Sequence, residues 1–279
     1  MIYSSQTMHL HVNDGVAYLT FPQIEEIPLV SHAFSTRLGG VSQGEFTSMN
    51  LSFGRGDPEE NVLENYRRLC RAANLPYEGL VASSQDHHTE IRRVGKRHAG
   101  LGIWKPKDRQ SVDGLLTDEP GVTLVTYYAD CVPLFFVDPV HKAVGLAHAG
   151  WRGTVAGIGE KMVQRMKDEF GSNPSDLVAA IGPSIGPCCY QVDAPVQRQF
   201  ANLEGLTPES FLSEEQDGKF MLNLWEVNRQ ILVRAGIWPE HLTITDLCTR
   251  CNHGLLFSHR ATGGKRGGLA ALIGIREEF

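Results

Sequence analysis

The chain passes from Lys142-Ala-Val-Gly-Leu-Ala147 straight into His148-Ala-Gly150-Trp-Arg152-Gly153-Thr154, an apolar run that breaks at two glycines and goes on as a helical pattern. The first half reads as a strand. In the second, Val155, Ile158, Met162, Val163, Met166 and Phe170 recur on one face of a helix over about 154–170. Strand, tight turn and helix in succession are the unit from which layered α/β proteins are built. Glycine at 150 and 153 lets the backbone turn sharply or come close to a ligand. The unpaired N–H groups of a helix start suit an anion such as phosphate, and Arg152 would add a forked, charge-assisted contact. The plain alternative is a connecting turn with a solvated Arg.

The same reading extends in both directions. Residues 16–21, 121–127, 133–137, 143–147, 177–181, 242–245 and 269–275 are short, apolar and bounded by Gly, Pro, Asp or Asn, which predicts strands. A helix follows Asp57, which can cap, with Pro58 first, Glu60 at the third position, and Val62, Tyr66, Leu69, Cys70 and Ala73 facing inward. Another spans 223–235 around Leu224, Val227, Ile231 and Ala235. Many strands with a few long helices predict an α/β or α+β sandwich with sheets in the middle and helices outside. There is no repeat, low-complexity tract or Pro/Gly/Ser-rich linker. The polar interval 203–219, with Pro208 and Gly218, reads as a surface excursion, so one domain over 1–279 is expected.

Composition narrows the function. The 279 residues are 42% hydrophobic and 21% charged with net charge -6, an ordinary globular balance. A net acidic chain is a poor sequence-independent nucleic-acid binder, which needs a basic stripe. The first fifteen residues show no basic and apolar leader, and no apolar run approaches the ~20 residues of a membrane span. Six cysteines in a chain this long are not a disulfide framework. A reducing cytoplasm is the expected setting, where cysteines are buried, metal-binding or catalytic.

Three places carry chemistry. Asp130-Cys131 interrupts an apolar strand pair, although a lone Cys is usually a buried apolar residue. Ser84-Gln-Asp86-His87-His88-Thr-Glu90 offers two adjacent His, of which a strand could aim only one at a shared site. His148 ends the strand before the glycine turn. His87, Cys131 and His148 together are ligands that Zn2+ prefers, and three protein ligands leave a fourth position open, as in catalytic sites. About one zinc per chain is the expectation there. Cys248-Thr-Arg-Cys251-Asn-His253, with His259 beyond, is a competing zinc knuckle without the usual finger spacing. Cys188-Cys189 is adjacent in sequence, too close to chelate one metal well, and sits in a Gly/Pro-rich turn cluster that could wall a pocket. Thr36-Arg37-Leu-Gly39-Gly40-Val-Ser42, followed by Ser48-Met-Asn50-Leu51-Ser52, suits an anion or a sugar, or is a plain hairpin loop.

Thr36-Arg-Leu-Gly-Gly-Val-Ser42, Ser48-Met-Asn-Leu51, Gln85-Asp-His87, Val112-Asp-Gly114, Ala129-Asp-Cys131, His148-Ala-Gly-Trp-Arg-Gly153, Ile181-Gly-Pro-Ser-Ile-Gly186 and Ser258-His-Arg260 resemble the YfiH-like family over about residues 30–275. That family was first labelled multicopper polyphenol oxidase or laccase-domain, and is associated with purine nucleoside phosphorylase and adenosine deaminase activity. The resemblance implies a single-domain α-β-β-α sandwich with mixed sheets, of the type grouped with cysteine hydrolases. It implies a metal, zinc or else copper, on His87, Cys131 and His148. Three positions depart from the family pattern: Asp86 and His88 flank the first His, which makes His88 a spare ligand or a decoy, and His259 stands where an aromatic residue is common.

The implied substrates are purine nucleosides and phosphate. Phosphorolysis of adenosine, inosine, guanosine or methylthioadenosine would give base and ribose 1-phosphate, and deamination of adenosine would give inosine. Cys131 and His148 are the implied catalytic groups. Asp130 is the expected proton carrier by position, with Arg37, Asn50 and Arg152 for substrate and phosphate. Three rivals use the same residues differently: a metal-free cysteine hydrolase with Cys131 and His148 as nucleophile and base, a copper-dependent phenol oxidase, and a zinc-stabilised interaction module.

Overall fold

Which apolar runs pair is decided by how their faces are covered. In the computed structural model, which describes residues 4–277, one six-stranded sheet has the order His9–Asn13, Val16–Thr20, Val30–Ser35, Leu269–Ile275, Thr123–Tyr128, Leu80–Ala82. A second has the order Leu242–Ile244, Val178–Ile181, Val132–Asp138, Ala143–Ala149, Val112–Thr117, Glu90–Arg93. Both are mixed. Leu80–Ala82 runs parallel to its neighbour, as do Glu90–Arg93 beside Val112–Thr117 and Leu242–Ile244 beside Val178–Ile181; the other pairs are antiparallel. A small third sheet joins Gln191–Asp193, Lys219–Leu222 and Leu212–Glu214.

Every residue of Val132–Asp138, Ala143–Ala149 and Leu269–Ile275 is buried, which is why they read as unbroken apolar runs rather than alternating ones. One core joins Leu19, Phe34, Leu124 and Ile273 of the first sheet to Phe135, Val144 and Leu146 of the second, so these two faces meet. Behind the second sheet, Leu134, Phe136 and Ala147 pack on Met162 and Met166 of helix Ile158–Phe170 and on Val227 and Ile231 of helix Leu224–Arg234. Behind the first, Val125, Ala270 and Leu272 pack on Val62, Tyr66 and Leu69 of helix Glu59–Ala72. The chain is thus a mixed α/β fold with several sheets. Among the described residues no helix is long and apolar enough to cross a membrane.

Three local expectations change. The helix over 154–170 is two helices, Trp151–Val155 and Ile158–Phe170, divided at Gly157, whose φ of +73° is left-handed and cheap only for glycine. Asp57 does not cap its helix. Pro58 holds the cap position, and the Asp57 carboxylate instead accepts from Ser42 Oγ (2.6 Å) and Asn50 Nδ2 (2.8 Å), tying an earlier loop to the helix start. The interval 203–219 is not irregular throughout, because Leu212–Glu214 joins the small sheet. By contrast Asn223 does cap, its side chain accepting the Glu226 N–H at 3.2 Å.

Candidate active site and metal-ligand cluster

Four consecutive strands of the second sheet, Val132–Asp138, Ala143–Ala149, Val112–Thr117 and Glu90–Arg93, present one end of the sheet to the same cleft. Each delivers one functional residue there. Cys131 precedes the first strand, and His148 lies near the end of the second, in register with Pro133. Asp113 stands at the start of the third, and His87 sits in the turn before the fourth. Sequence separations of up to sixty residues therefore collapse onto one sheet edge.

His87 Nε2 lies 3.9 Å from Cys131 Sγ, and the His87 and His148 rings meet edge to face at 4.9 Å. One ligand atom from each of the three residues falls within 4.8 Å of the other two. All three converge over Gly150: a Cβ there would stand 2.8 Å from His87 Cδ2, 3.3 Å from Cys131 Sγ and 3.5 Å from His148 Cε1. The glycine after His148-Ala149 is thus required by a side-chain cluster. Two imidazoles and a thiolate whose ligand atoms stand this close together are a donor set that fits zinc with one open position.

Asp113 organises the cluster. It is fully buried, and its carboxylate accepts three backbone N–H groups, from Asp86 (3.1 Å), His87 (2.9 Å) and His88 (3.0 Å), together with Nδ1–H of His148 (2.8 Å). The last bond fixes the imidazole so that Nε2 faces Cys131, the arrangement in which metal-binding histidines are commonly held. The three N–H bonds hold His87 in a left-handed conformation, φ +74°, that a non-glycine residue rarely adopts. Burial alone would raise the Cys131 thiol, but the His148 and His87 imidazoles outweigh it and bring it down to about 6. Burial likewise works against charge on His148, yet Cys131 and Asp113 lift it to about 9. The pair is ionic, and a cation can take the place of the shared proton. Asp113 was quoted in the sequence only as part of Val112-Asp-Gly114. A charged residue inside an otherwise apolar strand was the signal for it.

A cavity of about 730 Å3 opens beside the cluster, within the size range of small-molecule sites. Tyr127, Tyr128, Trp151, Ile185, Tyr190 and Phe53 supply its apolar wall, and Arg55, Lys107, Arg260 and Arg266 its positive one. Arg266 is the unexpected member. Its side chain is 8% exposed, NH1 donates to Gly267 O (2.9 Å), and Nε has no partner among the described residues. Burial first, and the Arg55 charge next, bring the guanidinium down to about 10. Two neighbouring cations, one of them buried with an unpartnered donor among the described residues, are an arrangement that suits an anion.

The expected substrate residues lie elsewhere. Arg37 is spent on carbonyls, its Nε and NH2 donating to Thr47 O (3.0 and 2.9 Å) and NH1 to His253 O (2.9 Å), and it does not line the cavity. Asn50 is buried, with Nδ2 on Asp57 and Oδ1 accepting the N–H groups of Ser52 and Gly268. It builds the loop. Arg152 is exposed and stacks 4.2 Å over the Trp151 ring, outside the cavity lining, at the start of a five-residue helix. Asp130 does line the cavity, but one oxygen accepts Thr249 Oγ1–H (2.6 Å) and the other the Arg260 N–H (2.6 Å). Both bonds tie it to the wall of the cavity. His88 does not join the His87–Cys131–His148 trio; its nearest ligating neighbours are Asp86 and Asp113. It is exposed and turned to Asp86 (2.6 Å), which holds its imidazolium above the ordinary value. Neither His253 nor His259 joins Cys248 and Cys251: His253 turns to Arg250 O (3.1 Å) and His259 lines the cavity.

Residues 31–276 match the family described as multi-copper polyphenol oxidoreductase laccase. The chain is 43% identical over 248 residues to purine nucleoside phosphorylase YlmD of Geobacillus stearothermophilus, covering 88% of this chain and 90% of that protein. It is 38% identical over 247 residues to YlmD of Bacillus subtilis, with 88% of each covered. The crystal structure of Bacillus licheniformis hypothetical protein YfiH superposes with a TM-score of 0.90 at 36% identity, over 96% of this chain and 99% of that one. With the family match running nearly from end to end, the chain belongs to the laccase-like YfiH family, whose curated relatives are named purine nucleoside phosphorylases.

Proposed function

We propose that this chain, working as one α-β-β-α sandwich domain in the cytoplasm, is a purine nucleoside phosphorylase that also deaminates adenosine, with zinc on His87, Cys131 and His148. The observation that carries the reading is the shared cavity, in which the ligand trio, an aromatic wall and the buried Arg266 with its free donor line one space.

Phosphorolysis breaks the C1′–N9 bond as a phosphate oxygen bonds to C1′. Arg55 and Arg266 hold and orient the phosphate, in place of the Arg37 and Arg152 expected earlier. The Tyr and Trp faces take the flat purine. The leaving base accepts a proton, for which Lys107 and His259 are candidate donors among the residues that line the cavity. Asp130 keeps the wall in place by bridging Thr249 and the Arg260 N–H. Asp113 keeps His148 and His87 aimed at one point. Zinc with an open position supplies a Lewis acid and lowers the pKa of water towards ~7, which is the chemistry deamination at C6 calls for.

Purified protein given adenosine and phosphate should yield adenine and ribose 1-phosphate, with inosine as the deamination product. Free ribose formed without phosphate would make it a nucleoside hydrolase. The ionic Cys131–His148 pair favours one other reading, a metal-free cysteine hydrolase. Alkylation separates the two, since a metal-bound thiolate is protected until a chelator strips the ion. Metal analysis of anaerobically purified protein decides between zinc and copper.

A further inference from the structure

We propose that Cys188, Cys189, Cys248 and Cys251 bind one zinc ion as a closed tetrathiolate, a second metal site that fastens the wall of the substrate cavity. The four Sγ atoms all lie within 4.8 Å of one another. Cys188 and Cys189 each stand 3.5 Å from Cys251. Tetrahedral zinc at about 2.3 Å from each sulfur sets the sulfurs about 3.8 Å apart. A disulfide needs about 2.05 Å. The observed spacing is that of sulfurs around a common centre.

The adjacent Cys188 and Cys189 were expected to be too close to chelate one metal well, and in an extended chain neighbouring side chains would indeed point to opposite faces. Here the backbone is not extended. The N–H groups of Cys189 and Tyr190 both donate to Gly186 O (3.0 Å each), which closes a helix-like turn. Consecutive side chains in such a turn diverge by about 100°, and both sulfurs reach Cys251. The Gly186 N–H donates to Cys248 Sγ at 3.2 Å, a contact that steadies a thiolate.

The donor count argues for a structural ion. Four thiolates complete a tetrahedral shell and leave no open position. The place needs a fastening. It joins two loops some sixty residues apart, with Thr249 N–H to Ser184 O (2.9 Å) as a backbone link between them. Its apolar support is small, Ile185, Cys189 and Cys248 packed with Tyr190 and Trp225. Both loops furnish the cavity. Tyr190 directly follows Cys189, Ile185 lines the wall, and Thr249, between Cys248 and Cys251, anchors Asp130. Cys188 and Cys251 are exposed, so the ion would sit near the surface and within reach of chelators.

The test uses full-length protein purified anaerobically under reducing conditions. Zinc content should be about two per chain, about one in Cys131→Ser, and about one in Cys248→Ser/Cys251→Ser. Cobalt added to metal-stripped Cys131→Ser should give the intense sulfur-to-metal charge transfer of four thiolates, which a further Cys251→Ser change should diminish. The cobalt spectrum in Cys131→Ser decides the matter even where the double variant does not fold. It also decides independently of whether the His87–Cys131–His148 trio holds a metal. A folded, reduced Cys131→Ser protein that takes up neither zinc nor cobalt overturns the proposal. Recovery of the four cysteines as disulfides from anaerobic preparations overturns it as well.

Discussion

Replacing Asp113 by Asn removes one of two carboxylate oxygens, each of which accepts two hydrogen bonds. The amide NH2 would face N–H groups or the His148 ring nitrogen. Zinc affinity at the trio should fall by about 10- to 100-fold while the fold survives, as for other groups that orient metal-binding histidines. Competition with a chromogenic chelator, alongside circular dichroism, measures both. Arg266→Met tests the anion site. Losing a charge-assisted bond costs on the order of 1.5–3 kcal/mol, so kcat/KM for phosphate should fall by roughly 10- to 150-fold. The KM for nucleoside should hold within about twofold in the same assays, and an unchanged phosphate response would remove Arg266 from the site. At this scale the sequence was partly legible. Cys131, His87 and His148 stand out because Cys and His are rare and chemically marked. Arg37 and Asn50 misled because a polar, Gly-rich loop looks the same whether its donors face a ligand or its own carbonyls. Arg55 and Arg266 gave no local signal, since what marks them is their meeting across the fold.

Strands were legible where a mostly apolar run is buried, and illegible where half of a six-residue buried strand is polar or glycine. Val30–Ser35 and Val112–Thr117 escaped notice for that reason. Ser35 Oγ accepts the Ala270 N–H (2.9 Å), and His32 Nε2 accepts the Phe21 N–H (2.8 Å). His32 has a testable consequence. Burial holds it neutral down to about 3, whereas in the unfolded chain it takes a proton near 6.5. Between those values the unfolded state binds more protons, so stability falls as pH falls through that window. From pH 6.5 to 4.5 the loss amounts to about 2 kcal/mol, the slope rising from half to nearly all of roughly 1.4 kcal/mol per unit as the unfolded-state imidazole fills with protons. His32→Gln, which keeps an acceptor but cannot take the proton, should flatten this part of the profile in urea titrations. A slope identical to that of the parent protein would exclude the assignment.

The whole molecule carries net charge -6, yet the cavity presents Arg55, Lys107, Arg260 and Arg266 against Asp130. A positive recess on a negative body draws phosphate inward over a range set by the screening length, about 10 Å at 0.1 M salt. Raising ionic strength with a salt of a weakly binding anion should lower kcat/KM for phosphate several-fold. The value for uncharged nucleoside should hardly move. Equal sensitivity of the two would point to a general loss of structure rather than screening.

The first sheet holds Leu269–Ile275 between Val30–Ser35 and Thr123–Tyr128, and among the described residues it is the strand that joins the two. Translation delivers that strand long after the two it joins. A ribosome-bound chain therefore keeps Phe34, Leu124 and the apolar face behind them without their middle partner until residue 275 has left the exit tunnel. Completion of this layer therefore waits on the last-made of its strands, and until then the facing edges of Val30–Ser35 and Thr123–Tyr128 stand open. A premature stop between residues 129 and 268 leaves two half-sheets with open edges, and its product should enter inclusion bodies rather than persist as a weakened enzyme.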